Sequence, residues 1–178
     1  MTRISPVDPD NANAQQRAAF DDGIARYGRM TNMKRTLLHS MPAFHALMEW
    51  YTLRDVVVSF LGERLTNVFS HAISAETDCL ICSTYFRRIL IDAGEDFENL
   101  TLDEREQAVV DFGRCLALPF ARVPDELYAR LASRFDAERI VALTAFGAMM
   151  VATNVLNNAL DIPLDDYLQP YRATARPD

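Results

Sequence analysis

The chain has 178 residues, of which 49% are apolar and 24% charged, and a formal net charge of −7 at pH 7. That length and apolar share give one globular domain with a substantial core, and the acidic balance argues against nonspecific binding of nucleic acid, for which the lone Arg87-Arg88 pair is no patch. Three cysteines are too few for a disulfide scaffold and suit a reducing, cytoplasmic setting with a functional dithiol, while the opening Met1-Thr-Arg-Ile-Ser-Pro6 lacks the apolar stretch of a signal peptide.

Low glycine, few β-branched alternations and a recurrent 3.6-residue apolar period predict an all-α domain spanning 1–178, with mobile tails at 1–12 and 172–178. A first helix is predicted from Asn13 to Tyr27, with Gly28 ending it, and a short one over 32–39. Pro42 opens a longer helix that runs through Tyr51 to Leu61. The next covers Glu63 to Ser74, followed by a cysteine helix from Asp78 to Ala93 that Gly94 closes. Thr101-Leu-Asp-Glu104 reads as a capping box leading into 105–118, where Pro119 stops the helix. Pro124 starts a short helix to Arg134, and Asp136 caps the longest, to Leu160. Thr144, Gly147, Thr153, Asn154, Asn157 and Asn158 interrupt its apolar run, which reads as a buried helix and not as a membrane span. Pro163 and Pro170 mark an irregular tail.

Cys79-Leu-Ile-Cys82 carries the chemistry. An i, i+3 pair shares a helix face, so the two sulfurs are able to meet as a disulfide. The preceding Ser74-Ala-Glu-Thr-Asp78 is rich in helix-starting residues, which places the pair at a helix N-terminus, where free N–H groups and the helix dipole favour a thiolate. Glu76 and Asp78 oppose that charge unless they turn away to cap the helix. On the helix before it, Leu61, Leu65, Val68, Phe69, Ala72 and Ile73 form an apolar stripe. Asn67, Ser70, His71 and Ser74 form a second stripe, either a solvent-facing side or, being uncharged for the most part, the wall of a cleft or subunit contact. With this helix folded back beside the cysteine helix, His71 is the nearest proton acceptor for a thiol.

Gly62-Glu-Arg-Leu-Thr-Asn67 through Cys79-Leu-Ile-Cys82-Ser-Thr-Tyr-Phe86 resembles the core of the carboxymuconolactone decarboxylase superfamily, and within it the AhpD-like alkylhydroperoxidases and their peroxidase-related relatives. The segments 29–42 and Asn154-Val-Leu-Asn-Asn-Ala-Leu-Asp-Ile-Pro-Leu-Asp165 carry it further, so the likeness extends from Gly28 to Asp166. The resemblance implies a compact all-α fold, a homo-oligomer and no bound cofactor. It implies that Cys82 attacks a hydroperoxide and becomes a sulfenic acid, that Cys79 resolves it to a disulfide, and that a lipoyl domain or thioredoxin-like dithiol resets the pair. The chain departs from the family relay: Phe86 stands where a His is usual, Asn67 where a Glu is usual, and Ile81 where a Tyr or His often precedes the second cysteine. None of the three moves a proton at neutral pH. The expected site is therefore Cys82, Cys79 and, by helix spacing, His71, with Asn67, Ser70 and Phe86 as pocket or relay neighbours.

Other groups read as structural. Cys115 lies on an apolar helix as a small buried hydrophobe. His39 and His45 flank Pro42 with no carboxylate at ligand spacing. Cys79, Cys82 and His71 have only Glu76 to complete a zinc site, so no metal is expected. Phe44, Trp50, Tyr51, Phe60 and Phe69 follow core spacing, with some members available to line an apolar pocket. The first reading is a dithiol hydroperoxide reductase. The competing one is a non-enzymatic, oligomeric redox-responsive or binding protein of the same fold. Lactone decarboxylation is weaker, for want of polar residues placed to bind a dicarboxylate.

Overall fold

Helices follow one another from Pro9 to Tyr171 in the computed structural model, which describes residues 2–173 and shows no strand among them. Helix α1 (Ala14–Tyr27) starts at a reciprocal capping box between Asn13 and Gln16 and ends at Gly28, whose φ of +70° needs a residue without a Cβ. Thr31 caps the short α2 (Asn32–Leu37). The expected helix from Pro42 to Leu61 is two helices, α3 (Met41–Met48) and α4 (Trp50–Leu61), meeting at Glu49. Their apolar faces explain the break. Phe44 and Met48 pack with Val7, Met30, Leu37 and Leu38, whereas Val57 and Leu61 belong to the main core. One straight helix cannot aim at both.

Helix α5 (Glu63–Glu76) is the central strut, packed by α4, α6 (Leu80–Asp92), α7 (Glu104–Ala117) and α9 (Ala137–Ala159). Phe69 stacks between Phe112 and Phe146, with ring centroids at 6.5 and 6.0 Å. Gly113 and Gly147 let α7 and α9 approach this ring: a Cβ at Gly113 would stand 2.9 Å from Phe69 Cδ2. The second stripe of α5 does not face solvent. Asn67, Ser70 and Ser74 are all buried, and Ser70 and Ser74 donate to the carbonyls of Thr66 and Ser70, both at 2.8 Å. Returning each hydroxyl proton to its own helix satisfies the donor, and Ser74 Oγ also accepts from Asn154 Nδ2 of α9 at 3.4 Å.

The capping box of α7 is Asp103 with Glu106, two residues beyond the one expected at Thr101, because Asp103 is the residue whose side chain reaches the N3 amide. Helix α8 (Asp125–Ala132) leads into α9, which Asp136 caps. By length and apolarity α9 would suffice to cross a membrane. Here it is the second central helix, burying Leu143, Phe146, Met150 and Asn154 among its neighbours. The tail forms a 3₁₀ segment, Asp166–Tyr171, held on α6 by a Tyr171 hydroxyl that donates to Asp92 at 2.7 Å.

The N-terminal arm, expected to be mobile, is docked. Arg3 N–H donates to the Leu160 carbonyl, Val7 is buried, and Arg35 Nε donates to the Val7 carbonyl at 2.8 Å. The expectation for 172–178 falls, from 174 onward, outside the described residues.

Candidate functional site

The turn between α5 and α6 sets up the cysteines. Asp78 adopts φ +51°, a left-handed conformation that Asp tolerates better than most residues. It reverses the chain so that Cys79 becomes the N-cap of α6 and Cys82 falls in the first turn. Three asparagines of α9 surround this turn. Asn154 Nδ2 donates to Thr77 Oγ1 at 2.8 Å, and Asn158 Nδ2 donates to the Thr77 carbonyl at 2.9 Å. Asn157, one helical turn on from Asn154, points its Nδ2 at both sulfurs, 3.2 Å from Cys82 Sγ and 3.7 Å from Cys79 Sγ.

Both cysteines are reduced and buried, and the pair stands 3.6 Å apart. That is thiol-to-thiolate hydrogen-bond distance, well beyond the S–S bond of a disulfide. The Cys79 thiol is lowered to about 7 by the Cys82 S–H that donates to it, against the opposing effect of burial; the Cys82 and Ile81 amides and Asn157 add to the lowering. Cys82 moves the other way, because it is the donor in that hydrogen bond, is buried, and faces the Cys79 charge. The dithiol therefore gives up its first proton around neutrality, and the negative charge then sits on Cys79 at the helix N-terminus.

Only Cys82 of the pair lines a cavity of about 360 Å³. Its walls are aromatic and sulfur-rich, from Trp50, Tyr51, Tyr85, Phe86, Tyr167 and Met150. Trp50 packs on Phe146 at 5.3 Å and donates its indole N–H to Met150 Sδ at 2.9 Å. The aromatic residues expected to line a pocket thus reduce to Trp50 and Tyr51, while Phe44 and Phe69 are core. Arg29, Lys34 and Asp165 line the cavity as well, with Arg29 over the Tyr167 ring and Lys34 over that of Tyr51.

His71 is not brought to the sulfurs. Its ring packs edge-on against Phe97 at 4.7 Å, on the side of α5 that faces Arg87 and Arg114. Burial first, then those two cations, push its pKa down to about 4, so it is neutral at physiological pH. Asn67 Nδ2 donates to the Glu63 carbonyl of its own helix, and neither Asn67 nor Ser70 lines the cavity. Of the expected neighbours only Phe86 shares the cavity with Cys82. Cys115 is half-buried and its Sγ donates to the Arg122 carbonyl, so it is less enclosed than a core residue. The described residues contain no group of three or more His, Cys, Asp or Glu placed to hold a metal ion. Asn157 and Lys34 are the site residues that sequence reading missed. Three asparagines within five positions of an apolar helix were the available signal for the first.

No family model and no curated protein matches the chain by sequence. Solved structures do match in three dimensions. A C82A variant of the debrominase Bmp8 in complex with 2,3,4-tribromopyrrole superposes with a TM-score of 0.78 at 18% identity, over 96% of each chain. An AhpD-core, uncharacterized peroxidase-related protein from Ralstonia eutropha JMP134 gives 0.75 at 18% identity over 94% of each chain. A peroxidase-related protein from Silicibacter sp. TM1040 gives 0.75 at 15% identity, covering 97% of this chain and all of that one. At such identities the likeness speaks for architecture: the chain has the all-α AhpD-like fold, shared by peroxidase-related proteins and the debrominase Bmp8.

Proposed function

We propose that Cys79 and Cys82 form a dithiol redox centre that reduces a small organic substrate held in the cavity, with a hydroperoxide as the first candidate. The observation that carries this reading is the asymmetry of the pair: Cys82 meets the cavity, while Cys79 holds the charge out of its reach. The missing His and Glu relay is then unnecessary. As Cys82 Sγ attacks the distal peroxide oxygen, its proton passes to the Cys79 thiolate across the existing contact, and the O–O bond breaks. The departing alkoxide takes that proton and leaves as the alcohol. Cys79, a thiolate again, attacks the sulfenic sulfur of Cys82, forming the disulfide and releasing hydroxide, which solvent protonates. Two electrons leave the pair, and an external dithiol of lipoyl or thioredoxin type restores them. Asn157, donating to both sulfurs, stabilises whichever carries the charge.

A non-enzymatic redox role would not need a cavity of ligand size opening on one sulfur. A second reading of the same centre is reductive dehalogenation. It is favoured by the aromatic lining and by the likeness to a debrominase. There the pair would supply two electrons as an aryl carbon–halogen bond gives way to carbon–hydrogen, releasing halide and leaving the same disulfide. Trapping with dimedone after adding cumene hydroperoxide, in wild type and Cys79→Ser, tests the first reading. An adduct on Cys82 is expected, and its absence together with no peroxide loss in the presence of dihydrolipoamide refutes it. Bromide release from 2,3,4-tribromopyrrole without peroxide turnover would select the second.

A further inference from the structure

We propose that the cavity beside Cys82 takes a small aromatic anion, with its negative group docked on the Lys34 ammonium and its ring between the aromatic walls. This deepens the reading of the cavity as a substrate site and concerns binding alone.

The chain as a whole is acidic, at −7, yet Arg29, Lys34 and Arg88 line this cavity against one carboxylate, Asp165. Arg88 is occupied by Asp92 at 2.8 Å. Among the described residues, Arg29 and Lys34 take part in no ion pair. Arg29 Cζ stands over the Tyr167 ring, 3.7 Å from its centroid.

Lys34 is the stronger case. Its side chain is 5% exposed, and of its three N–H donors one is used, on the Arg29 carbonyl at 3.2 Å. Nζ otherwise stands over the faces of Tyr27 and Tyr51, at 4.3 and 5.1 Å, which ease a buried cation without neutralising it. Burial lowers its pKa to about 8, partly offset by Asp165, so the group remains largely charged near pH 7. A buried ammonium with two spare donors, facing a cavity, disfavours the folded state unless something binds it. Asp165 is its counterpart. Oδ1 accepts from the Asn32 amide, but Oδ2 is buried without a partner among the described residues and is free to accept from a hydroxyl or N–H. The cavity thus offers a cation, an acceptor and π-faces together. Its volume of about 360 Å³ suits one substituted ring.

Trp50 is the only tryptophan in the chain and lines this cavity, so intrinsic fluorescence reads occupancy directly. The reduced protein is titrated with 4-nitrobenzoate and with its neutral isostere 4-nitrobenzamide. A charge-assisted contact in a water-poor site gives the anion an advantage of about ten-fold or more, and Lys34→Met or Lys34→Gln brings the two ligands together. Equal affinities in wild type, quenching by neither ligand, or an anion preference that survives both variants overturns the proposal. The wild-type comparison decides even where a variant folds poorly. Peroxide turnover on the same preparation separates the two readings, since turnover without anion preference sinks this proposal alone and anion preference without turnover sinks only the redox one.

Discussion

Replacing Asn157 by leucine tests the electrostatics of the cysteine pair at one point. The side chain is buried, and its single amide nitrogen donates to both sulfurs, at 3.2 and 3.7 Å. Hydrogen bonds to charged groups net about 1.5–3 kcal/mol. One donor shared between two large, diffuse sulfurs belongs at or below the low end, about 1.4 kcal/mol, or about one pKa unit. The Cys79 thiol, held at about 7, should then rise to about 8, and the thiolate fraction near pH 7 should fall from about one half to about one tenth. Leucine keeps the branching and the number of side-chain heavy atoms, though its methyl groups are bulkier than the amide. It also removes the buried Asn157 Oδ1, which has no partner, so the fold should not suffer in proportion. The assay is the pH dependence of ultraviolet thiolate absorbance and of iodoacetamide alkylation, in a Cys115→Ser background that silences the third thiol. A midpoint that stays put, or moves down, refutes the role given to Asn157. A midpoint shift accompanied by an equally large loss of unfolding free energy would assign the effect to disrupted packing instead.

Three further outcomes follow from the same geometry. Lys34 titrates at about 8 folded against 10.5 ordinarily, so the unfolded chain binds the additional proton between those values and stability rises with pH across that window. The wild-type curve of unfolding free energy should gain up to about 3 kcal/mol on that of Lys34→Met between pH 8 and 10.5, and parallel curves would show the ammonium to be unstrained. His71, lowered to about 4, makes the folded state lose stability as pH falls from 6.5 toward 4. His71→Phe should blunt that loss while leaving the alkylation rate of Cys82 unchanged, and a slowed rate would return the histidine to the thiol chemistry. Gly113→Ala should cost about 1–3 kcal/mol in urea denaturation, because its Cβ would press on Phe69 and Ile73 in the most enclosed part of the core; a neutral outcome would mean that α7 slides away freely.

The sequence by itself determined the elements and the chemistry they carry. Asn13, Gly28, Asp136 and the prolines act through their own backbone neighbours, so nearly every helix boundary lay within reach of local reasoning. The Cys79–Cys82 spacing likewise dictated a shared helix face before any packing was known. The break at Glu49 did not follow, because it depends on two cores competing for one apolar run. Nor did the depth of Ser70 and Ser74: a polar stripe that bonds back to its own helix looks in sequence like one facing water. His71 was the reasonable local choice of proton acceptor, yet it sits on the face of α5 turned toward Phe97.

What only the tertiary structure decided is the company the sulfurs keep. Asn157 reaches them across 75 residues of chain, and Lys34 and Asp165, 131 positions apart, meet in one cavity. Helical periodicity fixes which residues share a face. Which faces meet is set by how large side chains such as Phe69 and Trp50 fill space between helices, a property of the assembled core and not of any segment.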